Sequence, residues 1–220
     1  MATGKPRLLD LFSGAGGAAM GYHRAGFEVV GVDINRQPHY PFEFHQADAM
    51  TFPLDGFDVI HASPPCQSYS RATRNLWGAE RADAHPDLLA PTRDRLEASG
   101  TPYIIENVEG APIKATIMLC GTMFGLNIRK HRWFETSFDI LMAPASCGDH
   151  RNVYNPWKGG PGVRSADKFR EAQGTPWIPG EGGASRKTAI RTGGDCSDAI
   201  PPAYTEWIGR QLLARLAVAA

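Results

Sequence analysis

The chain alternates short apolar runs with polar, glycine- or proline-rich turns, and each run is too short for a buried helix. Arg7-Leu8-Leu9-Asp10-Leu11-Phe12 reads as a buried strand and breaks at Ser13-Gly14-Ala15-Gly16-Gly17. Ala18 to Ala25 reads as a helix stopped by Gly26, and Phe27 to Val32 as a second strand ending in Asp33. Strand, helix and strand in that span make a βαβ unit, which requires a parallel sheet. Further strands are expected at 57–62 and 103–105, and a helix at 85–99 with Leu88, Leu89 and Leu96 on its apolar face. After Pro201-Pro202, Ile208, Leu212 and Leu216 recur at helical spacing, which predicts a terminal helix packed on the sheet. The expected fold class is therefore α/β with a mostly parallel central sheet.

Beyond residue 134 the pattern dissolves. In the 29 residues from Asn155 to Gly183, eleven are Gly or Pro, and Trp157 and Trp177 lie among them. This reads as irregular chain, either a linker or a binding loop. The length of 220 residues suits one domain with a small appendage. Formal charge is zero, so the whole chain carries no electrostatic footprint for nucleic acid or membrane. Its distribution is uneven. Residues 33–58 hold five acids against Arg36 alone, whereas 151–191 hold eight Lys/Arg against three acids. Such a basic stretch is either a phosphate-contacting surface or a solvated face. The four cysteines are widely spaced and follow no signal-like or long apolar segment, so a reduced, cytoplasmic compartment is expected.

Cys66 is the most informative residue. In Ser63-Pro64-Pro65-Cys66-Gln67-Ser68 two prolines exclude helix and central strand, so the thiol rides on a stiff loop after a buried strand. Ligands and catalytic groups collect at such loops in open α/β sheets, and a nucleophile is favoured over a packed structural thiol. The Gly14–Gly17 turn lets backbone approach a ligand, and Asp33 at the end of the next strand suits a ribose diol. Gly14-x-Gly16-x-x-Ala19 loosely fits a dehydrogenase pattern, but hydride transfer needs no thiol beside prolines. No Walker-type lysine follows the glycines. Cys147-Gly-Asp-His150 offers half a zinc site, and with no second close pair in sequence no metal is expected.

The ordered set Asp10-Leu-Phe-Ser-Gly-Ala-Gly-Gly17, Asp33, Asp48, Pro64-Pro65-Cys66-Gln67, Glu106-Asn107-Val108, the basic block 129–132 and Ile200-Pro201-Pro202 resembles the cytosine-C5 DNA methyltransferases. The chain looks most like their short, bacteriophage-encoded members. The resemblance implies a Rossmann-like methyltransferase fold and S-adenosylmethionine as cofactor. Phe12, Ser13, Gly14, Ala15, Gly16 and Gly17 would border it, with Asp33 and Ile34 at its ribose, Asp48 at its adenine and Asp198 near its methionine end. Cys66 would attack cytosine C6, Glu106 would grip the N3 edge of the flipped base, and Arg132 would stabilise the thiolate. Such a glutamate needs a pKa raised by burial. Pro65, Gln67, Ser70, Arg71, Asn107, Lys130, Trp157 and Trp177 would meet the DNA.

Three departures from the family follow. Ile128 and Lys130 replace a glutamine and an arginine in the basic block, Ser197-Asp198 replaces Gly-Asn, and the recognition region is short. The expected organisation is a catalytic core at 1–134, an irregular recognition segment at 135–197 and a returning terminal helix at 198–220. The expected activity is methyl transfer to C5 of cytosine in DNA within a bacterial or phage-infected cell, with no membrane partner. The same chemistry on RNA cytosine, single-stranded DNA or a free nucleotide stays open, as do a non-catalytic binding protein, self-association and a separate specificity partner.

Overall fold

Leu8, Leu9 and Leu11 are shielded from solvent on both sides of the strand they share, which places that strand at the centre of the sheet. The computed structural model describes residues 4–69, 86–142, 144–151, 153, 166–178 and 198–219. In chain order the elements are β1 (Arg7–Leu11), α1 (Gly17–Ala25), β2 (Glu28–Asp33), β3 (Glu43–Gln46), β4 (Val59–Ala62), α2 (Leu89–Ser99), β5 (Tyr103–Asn107), β6 (Ile117–Leu119), β7 (Arg132–Thr136), α3 (Ala166–Gln173) and α4 (Pro202–Ala219). The seven strands lie in the order β3-β2-β1-β4-β5-β7-β6. The first five run parallel, and β7 joins antiparallel to both β5 and β6.

Strand order reverses between β1 and β4. From β1 the chain moves to β2 on one side, and from β4 to β5 on the other. The loops at 12–16 and 63–69 therefore leave adjacent carboxyl ends at the switch point, where open α/β sheets bind their ligands. The sheet is covered on both faces. α1 and α4 bury Tyr22, Tyr204, Ile208 and Leu212 on one face, against Leu8, Ile104 and Phe134. Leu89 and Leu96 of α2 pack on the other with Leu9, Leu11 and Ile60. Contact between α1 and α4 is close enough that a Cβ at Gly21 would collide with the Thr205 hydroxyl and the Pro202 carbonyl. Thr205 Oγ1 donates to the Ala18 carbonyl at 2.8 Å, which sets that spacing. Among the described residues no helix is long and apolar enough to cross a membrane.

The expected strands, first helix and terminal helix all form, and the helix expected over 85–99 is described from Leu89. Two readings change. A core boundary at 134 cuts through β7, which continues to Thr136, and Phe138 still belongs to the core. The stretch read as irregular contains α3, and Phe169 and Ile178 pack there with Ala15 and Ile128 of the core.

Candidate active site

The first loop of the switch point is held in an unusual backbone shape. Phe12 has φ 56°, a left-handed conformation that a bulky residue adopts only when its surroundings impose it. Gly16 follows at φ 82°, and a Cβ there would press on Pro41 and Tyr40. Asp33 fastens this loop. Its Oδ2 accepts from the Gly14 N–H at 3.0 Å and its Oδ1 from the Asn35 N–H at 2.9 Å. Ile34 beside it is 67% exposed, an apolar platform at the end of β2. The Ser13 hydroxyl is buried without a hydrogen-bond partner. Asp48 is exposed, with Oδ1 accepting from the Met50 N–H at 2.8 Å, which leaves its other oxygen free of that turn. A group with hydroxyls for Asp33, a flat face for Ile34 and a polar end for Ser13 fits this cradle. Asp198 lies within electrostatic reach of Cys66 and Glu106.

The second loop carries the thiol. Asn107 donates from Nδ2 to the Pro64 carbonyl at 3.1 Å, while its Oδ1 accepts from the Val108 N–H at 2.9 Å. Both ends of a buried amide are thus committed to backbone, so Asn107 braces the Pro-Pro-Cys loop from β5 and does not face a substrate. Cys66 is half-buried. Burial pushes its thiol up to about 11, against the pull of Arg132, with the negative charges of Asp198 and Glu106 adding to the rise. Burial likewise raises Glu106 above the usual carboxylate range, opposed by Arg132, Lys130 and a hydrogen bond from Ser63. Arg132 Nε lies 2.9 Å from Glu106 Oε1. That oxygen nevertheless has no hydrogen-bond donor of good geometry, and neither has the buried Gln67 Oε1. Pro65 is half-buried beside the thiol. Ser70, Arg71 and Trp157 lie outside the described residues.

Besides Asn107, two residues expected at the substrate are placed elsewhere. Lys130 is 3% exposed, and its ammonium donates to Gln173 Oε1 at 2.7 Å and to the Ala199 carbonyl at 2.5 Å. It braces α3 and the approach to α4 instead of offering charge to phosphate. Trp177 donates from its indole to the Ala15 carbonyl at 3.4 Å and packs with Ile128 and Phe169, so it anchors its segment on the glycine loop. The fold also supplies the second pair that sequence spacing withheld from Cys147 and His150. Sulfur and nitrogen atoms of Cys120, His131, Cys147 and His150 all lie within 4.8 Å of one another.

Sequence reasoning missed His61 and Ser63. His61 is wholly buried in β4, with Nδ1 3.0 Å from the Tyr22 hydroxyl and Nε2 2.9 Å from Ser63 Oγ. Ser63 in turn bonds Glu106. The signal was available, because a histidine inside the apolar run Val59-Ile60-His61-Ala62 demands polar partners.

Residues 6–112 match the family model described as C-5 cytosine-specific DNA methylase. The Type II methyltransferase M.HgiDI of Herpetosiphon aurantiacus is 27% identical over 133 residues, covering 54% of this chain and 42% of its own length. Type II methyltransferase M.HgiGI, from the same organism, is 29% identical over 119 residues, covering 48% of this chain and 92% of its own. The chain thus spans less than half of the first of these relatives. Among solved structures, the Entamoeba histolytica methyltransferase EhMeth superposes with a TM-score of 0.62 at 11% identity, over 96% of this chain and 99% of that one. That likeness is one of fold, a Rossmann-like α/β architecture shared over nearly the whole of both chains.

Proposed function

We propose, from the match of residues 6–112 to the C-5 cytosine-specific DNA methylase model, that the protein transfers a methyl group from S-adenosylmethionine to C5 of cytosine in DNA. One observation carries the reading: the half-buried Cys66 lies within electrostatic reach of the buried Glu106–Arg132 pair at the sheet's switch point.

The residues of the first loop fit the cofactor. Asp33 would accept from the ribose hydroxyls, Ile34 would lie against the adenine, Asp48 would accept from its amino group, and Ser13 would meet the methionine end. When bound, the cofactor supplies an electrophilic methyl on a sulfonium.

The chain's own residues make cytosine able to accept it. C5 of cytosine is a weak nucleophile. Attack of the Cys66 thiolate on C6 forms an S–C6 bond and moves the ring electrons through C5, which then takes the methyl. Loss of the C5 proton to a solvent base, return of the N3 proton to Glu106 and departure of the thiolate restore the ring. Protonated Glu106 would donate to N3 as negative charge develops there, and burial shifts its pKa upward, in the direction that role needs. Arg132 offsets charge on both the thiolate and the carboxylate. Asn107 holds the Pro64 carbonyl and so aims the thiol. In duplex DNA C6 is stacked, so the base must be extruded for this geometry to apply.

The segment 135–197 is proposed as a reduced recognition element, with residues 166–178 docked on the core. The test is label transfer from methyl-labelled S-adenosylmethionine to duplex DNA, single-stranded DNA, tRNA and dCMP offered separately. Label in duplex DNA is expected, and Cys66→Ser should abolish it while cofactor binding survives. Folded, cofactor-binding protein that labels no substrate would overturn the enzyme reading. Full activity of Cys66→Ser would overturn the covalent route.

A further inference from the structure

The four side chains of Cys120, His131, Cys147 and His150 come from three separate places in the chain. Cys120 directly follows β6 and caps the 3-10 turn Gly121–Phe124. His131 directly precedes Arg132, the first residue of β7. Cys147 and His150 lie on the segment after β7, spaced Cys-x-x-His. Their facing atoms are Cys Sγ and His Nε2. Cys147 Sγ is 3.1 Å from His150 Nε2 and 3.6 Å from His131 Nε2, and Cys120 Sγ is 3.3 Å from His150 Nε2. A tetrahedral zinc with the usual bond lengths would set sulfur–nitrogen edges of about 3.5 Å, so these separations match the edges of that polyhedron.

We propose that Cys120, His131, Cys147 and His150 form a structural zinc site that pins the basic block and the start of the recognition segment to the sheet. Two thiolates and two imidazoles in a tetrahedral array select zinc over hard cations. With four protein ligands no position is left for water or substrate, so the site is closed and non-catalytic. Its surroundings suit a metal centre. Thr122 Oγ1 donates to Cys120 Sγ at 3.4 Å and accepts from the Gly148 N–H at 3.2 Å, linking the two thiol-bearing segments behind the ligands. The position explains the need. The His131 carbonyl accepts from Arg132 Nη1 at 2.9 Å, so fixing His131 also fixes the arginine that pairs with Glu106.

The full chain, purified under reducing conditions without chelator or metal-affinity steps, should hold about one zinc by elemental analysis, as a closed four-ligand site requires. Replacement with cobalt should give the visible bands of tetrahedral cobalt and a near-ultraviolet thiolate charge-transfer band. Cys147→Ala and His150→Ala should lose the metal, while Cys66→Ser should keep it. If those variants fail to fold, Cys147→His should retain zinc and show a charge-transfer band about half as intense, since one of two thiolates is gone. Less than a tenth of an equivalent after zinc reconstitution would overturn the site. So would an octahedral cobalt spectrum, or equal metal loss in Cys66→Ser. These readouts are of metal, so they stand or fall apart from the methyl-transfer reading.

Discussion

Glu106 and Arg132 meet across the antiparallel β5–β7 pair with Oε1 and Nε 2.9 Å apart, both nearly closed to solvent. The pairing is not a stability device alone. Arg132 holds down the pKa of Glu106 and of Cys66, and burial outweighs it in both. The resting thiol, pushed up to about 11, is protonated at neutral pH. Activity should therefore rise with pH above neutrality as the thiolate fraction of Cys66 grows. Arg132→Met removes the opposing charge, raises both groups further and should cost about a hundredfold or more in kcat/KM. Its rising limb should move to higher pH. A pH–rate profile of unchanged shape in Arg132→Met would show that the arginine does not tune the thiol.

Asp198 acts in the opposite sense, since its negative charge raises both Cys66 and Glu106. Asp198→Asn should lower the Cys66 pKa and increase the thiolate fraction at pH 8. Alkylation of Cys66 by iodoacetamide should then be faster by roughly two- to tenfold, since the thiolate is the reacting species. Following the alkylation rate from pH 7 to 10 in both proteins gives the shift directly. Coincident curves would mean that this carboxylate does not reach the thiol.

What was legible in the sequence was local. β1, α1 and β2 follow from contiguous residues, and the proline pair alone places Cys66 on a loop after β4. Edge strands were not legible. β3 is Glu-Phe-His-Gln and mostly exposed, so it lacks an apolar signature, and the three-residue β6 is defined by its pairing with β7. The role of Lys130 was equally hidden, because its partners Gln173 and Ala199 lie 43 and 69 residues away. A lysine in a basic block reads as solvent-facing until those partners are known. Cys120 and His131 escaped notice for the same reason, since they lie eleven residues apart in sequence and meet only through the β6–β7 pairing, with Cys147 and His150 folding back beside them.

His61 makes stability depend on pH. Burial pushes its imidazole down to about 3, so it stays neutral in the folded protein. The unfolded chain takes up a proton on this residue below its ordinary value of 6.5. The contribution is therefore complete above pH 6.5 and declines as pH falls toward 3, by an amount on the order of a few kcal/mol. Urea midpoints from pH 7.5 to 4.5 should fall more steeply for the wild type than for His61→Gln, which keeps a polar group but cannot titrate. Parallel slopes would exclude His61 as the source.

Lys130 and Trp177 separate anchoring from DNA contact. If Lys130 neutralised a phosphate, Lys130→Met would weaken DNA binding and reduce its salt dependence by about one counterion. Buried against Gln173, the Ala199 carbonyl and the Phe169 ring, it should instead lose hydrogen bonds to a charged donor and destabilise the fold by about 2–3 kcal/mol. The salt slope of DNA binding should stay the same. Trp177→Ala should likewise loosen residues 166–178 from Ala15 and weaken cofactor binding at the adjacent glycine loop before it affects DNA. Denaturant midpoints, cofactor titration and DNA affinity across a salt series distinguish the two roles. A reduced salt slope in Lys130→Met with unchanged stability would return this lysine to the DNA surface.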